Sequence, residues 1–181
     1  MNNRKRLLFL FCSLFILAGI WYVFLNKTNT PSGASGSSSQ SARSGVSTGD
    51  RMPEFTLQGL AGQSVTVGKP GQISVINFWA TWCPPCRAEF PELDQFARNN
   101  KDKMQFYSID IQEDKGKVAA FLKEGNYSFT AYIDSDGAIA KQFRITAIPT
   151  TLVVDENGII RYRKSGGVTE TELEEIIKKG W

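Results

Sequence analysis

The chain has 181 residues, and roughly 130 of them remain for one domain once the first third, which is unsuited to a packed core, is set aside. The absence of histidine excludes Cys-His catalysis, histidine-ligated zinc and haem attachment through a CxxCH motif. The formal net charge of +3 arises before Asp50, because from Asp50 onward 16 basic residues stand against 18 acidic ones. Nucleic-acid binding therefore has no support in the folded part.

A charge-free apolar stretch follows a basic cluster at the N-terminus. Residues 1–6 contain Arg4-Lys5-Arg6, and residues 7–25 carry no charge. At about 1.5 Å per residue this stretch approaches the roughly 30 Å hydrocarbon thickness of a bilayer, so it predicts one transmembrane helix. The basic cluster predicts a cytoplasmic N-terminus, and hence a single-pass protein of the cell membrane with its domain on the extracytoplasmic side. A cleaved signal peptide is the alternative, but bulky Trp21 and Tyr22 favour an uncleaved anchor.

The next segment, residues 26–49, is dominated by serine and glycine and has little apolar surface to bury. This composition predicts a flexible linker. A folded domain is expected over residues 50–181, where strand-like and helix-like patterns alternate.

The first part of this domain predicts a hairpin, a buried strand and a helix. Residues 55–57 and 65–67 are short strand-like runs separated by glycines, which indicates an opening β-hairpin. Residues 73–79 are almost continuously apolar or β-branched, as expected of a central strand buried on both faces. The apolar residues that follow recur at helical spacing on one face: Cys86, Phe90, Leu93 and Ala97.

The second part predicts strands at 104–109 and 130–133 and helices at 117–124 and 138–143. Asp155-Glu-Asn-Gly158 then separates two strand-like runs and indicates a second hairpin. A closing helix at 169–179 has Thr169 as its N-cap. This order of elements requires an α/β domain with a mixed sheet and helices on both faces.

Trp82-Cys83-Pro84-Pro85-Cys86 lies between the central strand and the first helix. Two cysteines one helical turn apart can close a small disulfide and reopen it, which favours dithiol exchange over a structural link. The third cysteine lies far away in the apolar stretch. The prediction is therefore a redox-active cysteine pair, with no metal and no other cofactor.

Together these motifs resemble a known family. Asn77-Phe-Trp-Ala-Thr-Trp-Cys-Pro-Pro-Cys86, Pro91 and Ile148-Pro149-Thr150-Thr151 resemble the thioredoxin fold. The run Cys86-Arg-Ala-Glu-Phe-Pro-Glu-Leu93, the opening hairpin, the extra helix and strand within 117–133 and the anchor are similar to the TlpA/ResA-like thiol-disulfide oxidoreductases. The resemblance covers roughly Met52 to the C-terminus. It implies a thioredoxin-like fold with an N-terminal β-hairpin and a central αβ insertion, preceded by one transmembrane helix.

The resemblance implies roles for the two cysteines. Cys83, at the helix N-terminus, is expected to be the attacking thiolate, because the helix dipole and unpaired N–H groups lower its pKa. Cys86, one turn inside, is expected to resolve the mixed disulfide. Pro84 and Pro85 have no N–H to offer the Cys83 sulfur, which favours a reducing couple.

Two polar positions relate to proton transfer. Ordinary thioredoxins carry a buried carboxylate where this chain has Asn77, and an amide cannot exchange a proton near neutral pH. Glu113 matches the position of an active-site glutamate in ResA-like members, so it is the predicted proton acceptor for Cys86. A solvated loop glutamate is the alternative interpretation of Glu113.

The resemblance also places substrate contacts. Pro149 matches the cis-proline that faces the two sulfurs in this fold. The backbone at Ile148 is expected to pair with an incoming peptide as a short added strand. Trp82 is expected to contact substrate beside the cysteines.

The predicted function is reduction of disulfides in exported proteins by the Cys83/Cys86 dithiol. The resemblance makes apocytochrome c, during cytochrome c maturation, the leading substrate, and a membrane thiol donor such as a CcdA/DsbD-like protein the partner that recharges the site. Two alternatives use the same residues: a disulfide-forming oxidase of exported proteins, and a noncatalytic binding module whose disulfide stays closed.

Overall fold

The computed structural model describes residues 43–181 and, before them, Trp21 alone. Within this part of the chain, no helix is both long enough and apolar enough to cross a bilayer. The predicted basic segment 1–6, the anchor 7–25 apart from Trp21, and most of the linker 26–49 lie outside the described residues. The anchor therefore stays a prediction.

The domain has seven strands and four helices. The strands are β1 (Phe55–Gly59), β2 (Ser64–Val67), β3 (Ile73–Trp79), β4 (Met104–Ile111), β5 (Ala131–Asp134), β6 (Thr150–Val154) and β7 (Ile160–Ser165). The helices are α1 (Pro84–Asn100), α2 (Lys115–Glu124), α3 (Ala138–Gln142) and α4 (Glu170–Lys178). Each element predicted from the sequence of residues 50–181 is present, with ends that differ by a few residues.

All seven strands join one mixed sheet in the order β2-β1-β5-β4-β3-β6-β7. β4 runs parallel to both β3 and β5, and the remaining neighbours are antiparallel. The opening hairpin β1–β2 adds to the sheet beside β5, where Gln58 lies opposite Ile133. Helix α2 and strand β5 form the predicted central insertion, and the mixed sheet with its helices has the predicted α/β architecture.

Strand β3 lies inside the sheet, with β4 on one side and β6 on the other. Its residues alternate between two hydrophobic cores, because successive side chains of a strand point to opposite faces. Val75 and Trp79 join the core formed with α1, α2 and α4. Ile76 and Phe78 join the second core, which Phe143 fills from the end of α3.

The parallel register of β3 and β4 places polar residues on the face that α1 covers. Asn77 lies opposite Ser108, and Trp79 lies opposite Asp110. All four of these residues are buried, with no exposed surface. The base of α1 therefore rests on a partly polar layer.

Strand β7 forms one edge of the sheet and carries Arg161, Arg163 and Lys164. The segment before β1 runs beside the start of this edge. The Gly49 N–H donates to the Ile160 carbonyl at 2.8 Å, and the Ile160 N–H donates to the Asp50 carbonyl at 2.9 Å. The end of the predicted linker thus contacts the domain.

Candidate active site

Cys83 and Cys86 form a disulfide at the N-terminus of α1, with their Cα atoms 5.3 Å apart. Cys83 is the N-cap residue, and its Sγ accepts a hydrogen bond from the Cys86 N–H at 3.3 Å. Pro84 and Pro85 occupy the first two helical positions and have no N–H, so Cys86 supplies the first backbone donor of the helix. Cys83 is 2% exposed and Cys86 is fully buried.

The loop before β6 faces the disulfide. The Ile148–Pro149 peptide bond is cis, and the Ile148 carbonyl oxygen lies 3.7 Å from Cys83 Sγ. The Gly166 N–H donates to the Pro149 carbonyl at 2.8 Å. Gly166 has a φ of +104°, a backbone conformation that residues with side chains rarely adopt. Glycine at this position therefore makes the hydrogen bond to Pro149 possible.

Trp82, which precedes Cys83 in the chain, lines two open cavities and is 65% exposed. The first has a volume of about 600 Å³ and is bounded by Trp82, Lys141 and the apolar side chains of Ile111, Ala140, Ile145 and Ile148. The second has a volume of about 360 Å³ and lies between Trp82, Arg87 and Phe121. A large aromatic surface exposed at two cavities suits contact with an extended peptide.

Asn77 lies beneath α1 and is bonded to a buried carboxyl group. Its Nδ2 donates to Glu89 Oε1 at 2.9 Å and to Thr151 Oγ1 at 3.0 Å. The other Glu89 oxygen accepts from the Val168 N–H at 2.9 Å. Burial raises the pKa of Glu89, and these hydrogen bonds only partly oppose the rise. A protonatable group therefore lies one helical turn after Cys86.

Glu113 lies just after β4, with its side chain almost buried. Its carboxylate accepts hydrogen bonds from the Thr81 N–H, the Thr81 hydroxyl and the Lys117 ammonium group. Burial alone would raise the pKa of Glu113, but the bonds from Lys117 and Thr81 lower it below its ordinary value. The structure thus attaches Glu113 to the loop that leads to Cys83. Its predicted role as the proton acceptor stays a prediction.

Asp110 lies near the end of β4, three residues before Glu113, and is fully buried. Its side chain lies against the carboxyl group of Glu113. Burial, together with the nearby Glu113 carboxylate, raises the pKa of Asp110 to about 8. At neutral pH this side chain is therefore mostly a neutral carboxylic acid.

Glu89 and Asp110 were missed as candidates from the sequence. Glu89 follows Cys86 by three residues and precedes buried Phe90, so helical spacing alone could have placed it on the buried face. Asp110 lies two residues after Ser108 and four after Phe106 in β4, so strand alternation could have placed it under α1. Acidic residues are seldom fully buried, which hides both from composition-based reasoning.

The Redoxin family matches residues 47–177. Thiol:disulfide interchange protein DsbE of Escherichia coli (strain K12) is 36% identical over 141 residues, which cover 74% of this chain and 73% of that protein. Thiol-disulfide oxidoreductase ResA of Bacillus cereus (strain ATCC 10987 / NRS 248) is 30% identical over 133 residues, which cover 72% of this chain and 77% of that protein.

A solved structure agrees with these similarities. The crystal structure of StoA from Bacillus subtilis superimposes with a TM-score of 0.63 at 27% identity, covering 69% of this chain and 96% of that chain. A helix-capping CxxC disulfide opposite a cis-proline accompanies the shared fold here. The chain therefore belongs to the Redoxin family and is a thiol-disulfide oxidoreductase of the thioredoxin superfamily, of the ResA/DsbE type.

Proposed function

We propose that this enzyme reduces disulfide bonds of exported proteins on the extracytoplasmic side of the cell membrane, to which residues 7–25 anchor it. The single backbone donor at Cys83 carries this proposal. Among the described residues, the Cys86 N–H is the one donor to Cys83 Sγ, because Pro84 and Pro85 have no N–H to give. A thiolate that receives one hydrogen bond is less stabilised than a thiolate that receives several. The dithiol form of this site is therefore a stronger reductant than that of a site with more donors.

The proposed reaction moves two electrons from the dithiol to the substrate. The Cys83 thiolate attacks one substrate sulfur, the substrate disulfide breaks, and its other sulfur leaves as a thiolate that takes a proton. Cys86 then loses its proton and attacks Cys83 Sγ. The Cys83–Cys86 bond forms, the bond between Cys83 and the substrate breaks, and the substrate leaves with both of its sulfurs reduced.

Substrate recognition is proposed to use the loop before β6 and the exposed tryptophan. The Ile148 backbone would pair with an extended segment of the substrate, as a short added strand. This carbonyl lies 3.7 Å from Cys83 Sγ, so the pairing would hold a substrate disulfide against the attacking sulfur. Trp82 and Ile148 would bury apolar side chains that flank the substrate cysteine.

The proposed substrate class is an exported protein with an accessible disulfide, and apocytochrome c is the leading candidate. Because each cycle leaves Cys83 and Cys86 oxidised, the site needs a source of electrons. A membrane thiol donor such as a CcdA/DsbD-like protein is the proposed source. The predicted anchor would keep both the enzyme and its donor in one membrane.

The reduction potential of the Cys83–Cys86 couple in the full-length, detergent-solubilised chain tests the direction. We expect a value near that of thioredoxin, about −270 mV, measured against glutathione and dithiothreitol buffers. A value near or above about −180 mV, the level of protein disulfide isomerase, would instead support a disulfide-forming oxidase. A disulfide that resists reduction at thioredoxin-level potentials would support a noncatalytic module.

The separate roles of the cysteines are tested with single variants and a disulfide-bonded peptide. We expect Cys83→Ala to form no adduct and Cys86→Ala to accumulate a mixed disulfide, because only the latter retains the attacking sulfur. Intact mass spectrometry detects the adduct. Adducts of equal yield in both variants would overturn the assignment.

A further inference from the structure

The larger of the two cavities that Trp82 lines, with a volume of about 600 Å³, contains charge of one sign. Lys141 is the one charged side chain among the described residues that line it. Gln112 and Thr146 are polar and uncharged, and the remaining lining residues are apolar or glycine. This cavity therefore combines an apolar wall with a single cation.

No acid neutralises Lys141 within the described part of the chain. None of the ion pairs there includes it. Asp134 and Asp136, the acids nearest to it in the chain, accept hydrogen bonds from backbone N–H groups at the start of α3, whereas Lys141 lies in its last turn. The ammonium group is exposed and can therefore pair with a group that a bound molecule brings.

The smaller cavity that Trp82 lines carries both signs of charge, because Glu124 lines it together with Arg87 and Lys117. Lys117 is also bonded to Glu113. An acidic group in the smaller cavity would meet another acid as well as cations. No acid is among the described residues that line the larger cavity, so the larger cavity is the one that suits an acidic group.

The wall of the larger cavity includes a residue that contacts the reacting sulfur. Ile148 lines this cavity, and its carbonyl oxygen lies 3.7 Å from Cys83 Sγ. The Thr150 hydroxyl donates to the Ala147 carbonyl at 2.7 Å, which fixes the neighbouring residue of the same wall. A substrate segment that pairs with the Ile148 backbone would therefore bring side chains close to its cysteine up to a preformed cavity.

We propose that Lys141 determines substrate specificity by pairing with an aspartate or glutamate side chain close to the substrate cysteine. The inference rests on the proposed function, because it names the substrate class of the same site: exported proteins with an acidic residue beside the disulfide. The methylene groups of such a residue would pack against Trp82 and Ile148, and its carboxylate would meet the ammonium group. An extended segment that passes Ile148 presents side chains and not a chain end, so the carboxylate belongs to a side chain.

Two disulfide-bonded peptides with acetylated and amidated ends test the proposal. The residues that flank one cysteine are glutamate in the first peptide and glutamine in the second. The second-order rate constant of the dithiol form of the full-length, detergent-solubilised chain is divided by that of dithiothreitol with the same peptide, which corrects for the reactivity of each disulfide. We expect a preference for the glutamate peptide of about two- to fivefold at low salt, as for one exposed ion pair. The preference should fall toward one at about 500 mM salt.

Substitutions of Lys141 assign the preference. We expect Lys141→Gln to remove it and Lys141→Glu to reverse it. Lys123→Gln and Lys123→Glu are the matched controls, since Lys123 is also an exposed lysine in the last turn of a helix and does not line the cavity. These controls change the net charge equally and should keep the preference.

Two results would overturn the proposal. The first is equal corrected rates for the two peptides with the unmodified chain at low salt. The second is a preference that persists in Lys141→Gln, as expected if Lys141 only stabilises the C-terminal end of α3.

The same preference is measured in the reverse reaction, in which the disulfide form oxidises the dithiol form of each peptide. Cys83 forms the same mixed disulfide with the peptide in both directions. A preference that depends on Lys141 in either direction supports the proposal, and its absence from both overturns it. The relative rates of the two directions concern only the proposed reduction, so failure of the specificity and failure of the proposed function give different results.

Discussion

Asn77 donates a 2.9 Å hydrogen bond to Glu89 beneath α1, so the base of the dithiol site holds an amide and a carboxyl group side by side. The amide satisfies one oxygen of Glu89 while the Val168 N–H satisfies the other. Both carboxyl oxygens of Glu89 therefore have a hydrogen-bond donor in the buried layer beneath α1.

Asn77→Asp would place two carboxyl groups against each other. We expect the free energy of unfolding at pH 8 to fall by about 2–3 kcal/mol, because a donor is lost and a second acid is buried. The loss should be smaller at pH 5, since acids whose pKa is raised by folding destabilise the fold as pH rises. Urea unfolding measures both values.

Asn99→Asp is the matched control for this variant. Asn99 donates a similar hydrogen bond of 2.8 Å to Glu170, but that pair is exposed to solvent. Water screens the like charges there, so we expect a loss below about 1 kcal/mol. Losses of equal size in the two variants would show that burial of the Asn77–Glu89 pair has no energetic role.

Asp110 should make stability depend on pH. Its pKa rises from 3.8 in the unfolded chain to about 8 in the folded protein. Between these values the folded state keeps a proton that the unfolded state has released, so the free energy of unfolding falls as pH rises from about 4 to about 8. Asp110→Asn removes this contribution, so the variant should gain stability relative to the unmodified chain across that window. Urea unfolding at pH 5, 7 and 9 gives the free energy of unfolding of both proteins. The same dependence on pH in the variant and the unmodified chain would contradict a contribution from Asp110.

Trp82→Ala should change substrate recognition and leave the fold intact. Because Trp82 is 65% exposed, we expect a change in the free energy of unfolding below about 1 kcal/mol. KM for a disulfide-bonded peptide should rise severalfold, while the rate with dithiothreitol stays unchanged. Trp181→Ala, at an exposed tryptophan near the C-terminus, should leave both values unchanged. Equal effects of the two variants on KM would show that Trp82 does not contribute to substrate binding.

Asp155 should be essential to the second hairpin. This buried carboxylate accepts from the Asn157 and Ile159 N–H groups and from the Arg161 guanidinium. Asp155→Ala leaves these donors unpaired, and we expect a loss of about 3 kcal/mol in the free energy of unfolding. The neighbouring exposed residue provides the control, since Glu156→Ala should cost less than about 0.5 kcal/mol. Thermal unfolding compares the two variants. Similar unfolding midpoints would contradict the stabilising role of the buried Asp155 carboxylate.

The local structure was largely predictable because local signals agree in this chain. Continuous apolar residues in β3, the glycines of the β1–β2 hairpin and the Thr169 cap each specify one conformation. The Thr169 hydroxyl accepts from the Glu172 N–H at 3.2 Å, as its position predicts. The mixed sheet followed from the order of these elements.

The sheet order and the buried acids were not predictable from local patterns. Pairing of β1 with β5 depends on contacts between residues more than 70 positions apart, such as Gln58 and Ile133, for which the sequence holds no local signal. Glu89 and Asp110 look like ordinary surface acids until the register of β3 and β4 and the seating of α1 are known. The chemistry of the site depends on these long-range relationships.

The positively charged outer strand β7 bears on aggregation, because it forms one edge of the sheet. Arg161 is held by Asp155, Arg163 by the Phe143 carbonyl and Lys164 by Glu172, while residues 49–50 bond to the start of the strand. Fixed cations and a covering segment are known obstacles to growth of a sheet from its edge. With the proposed function the enzyme would bind unfolded polypeptides repeatedly and be exposed to co-aggregation with them, and the cations and covering segment of this edge oppose such growth.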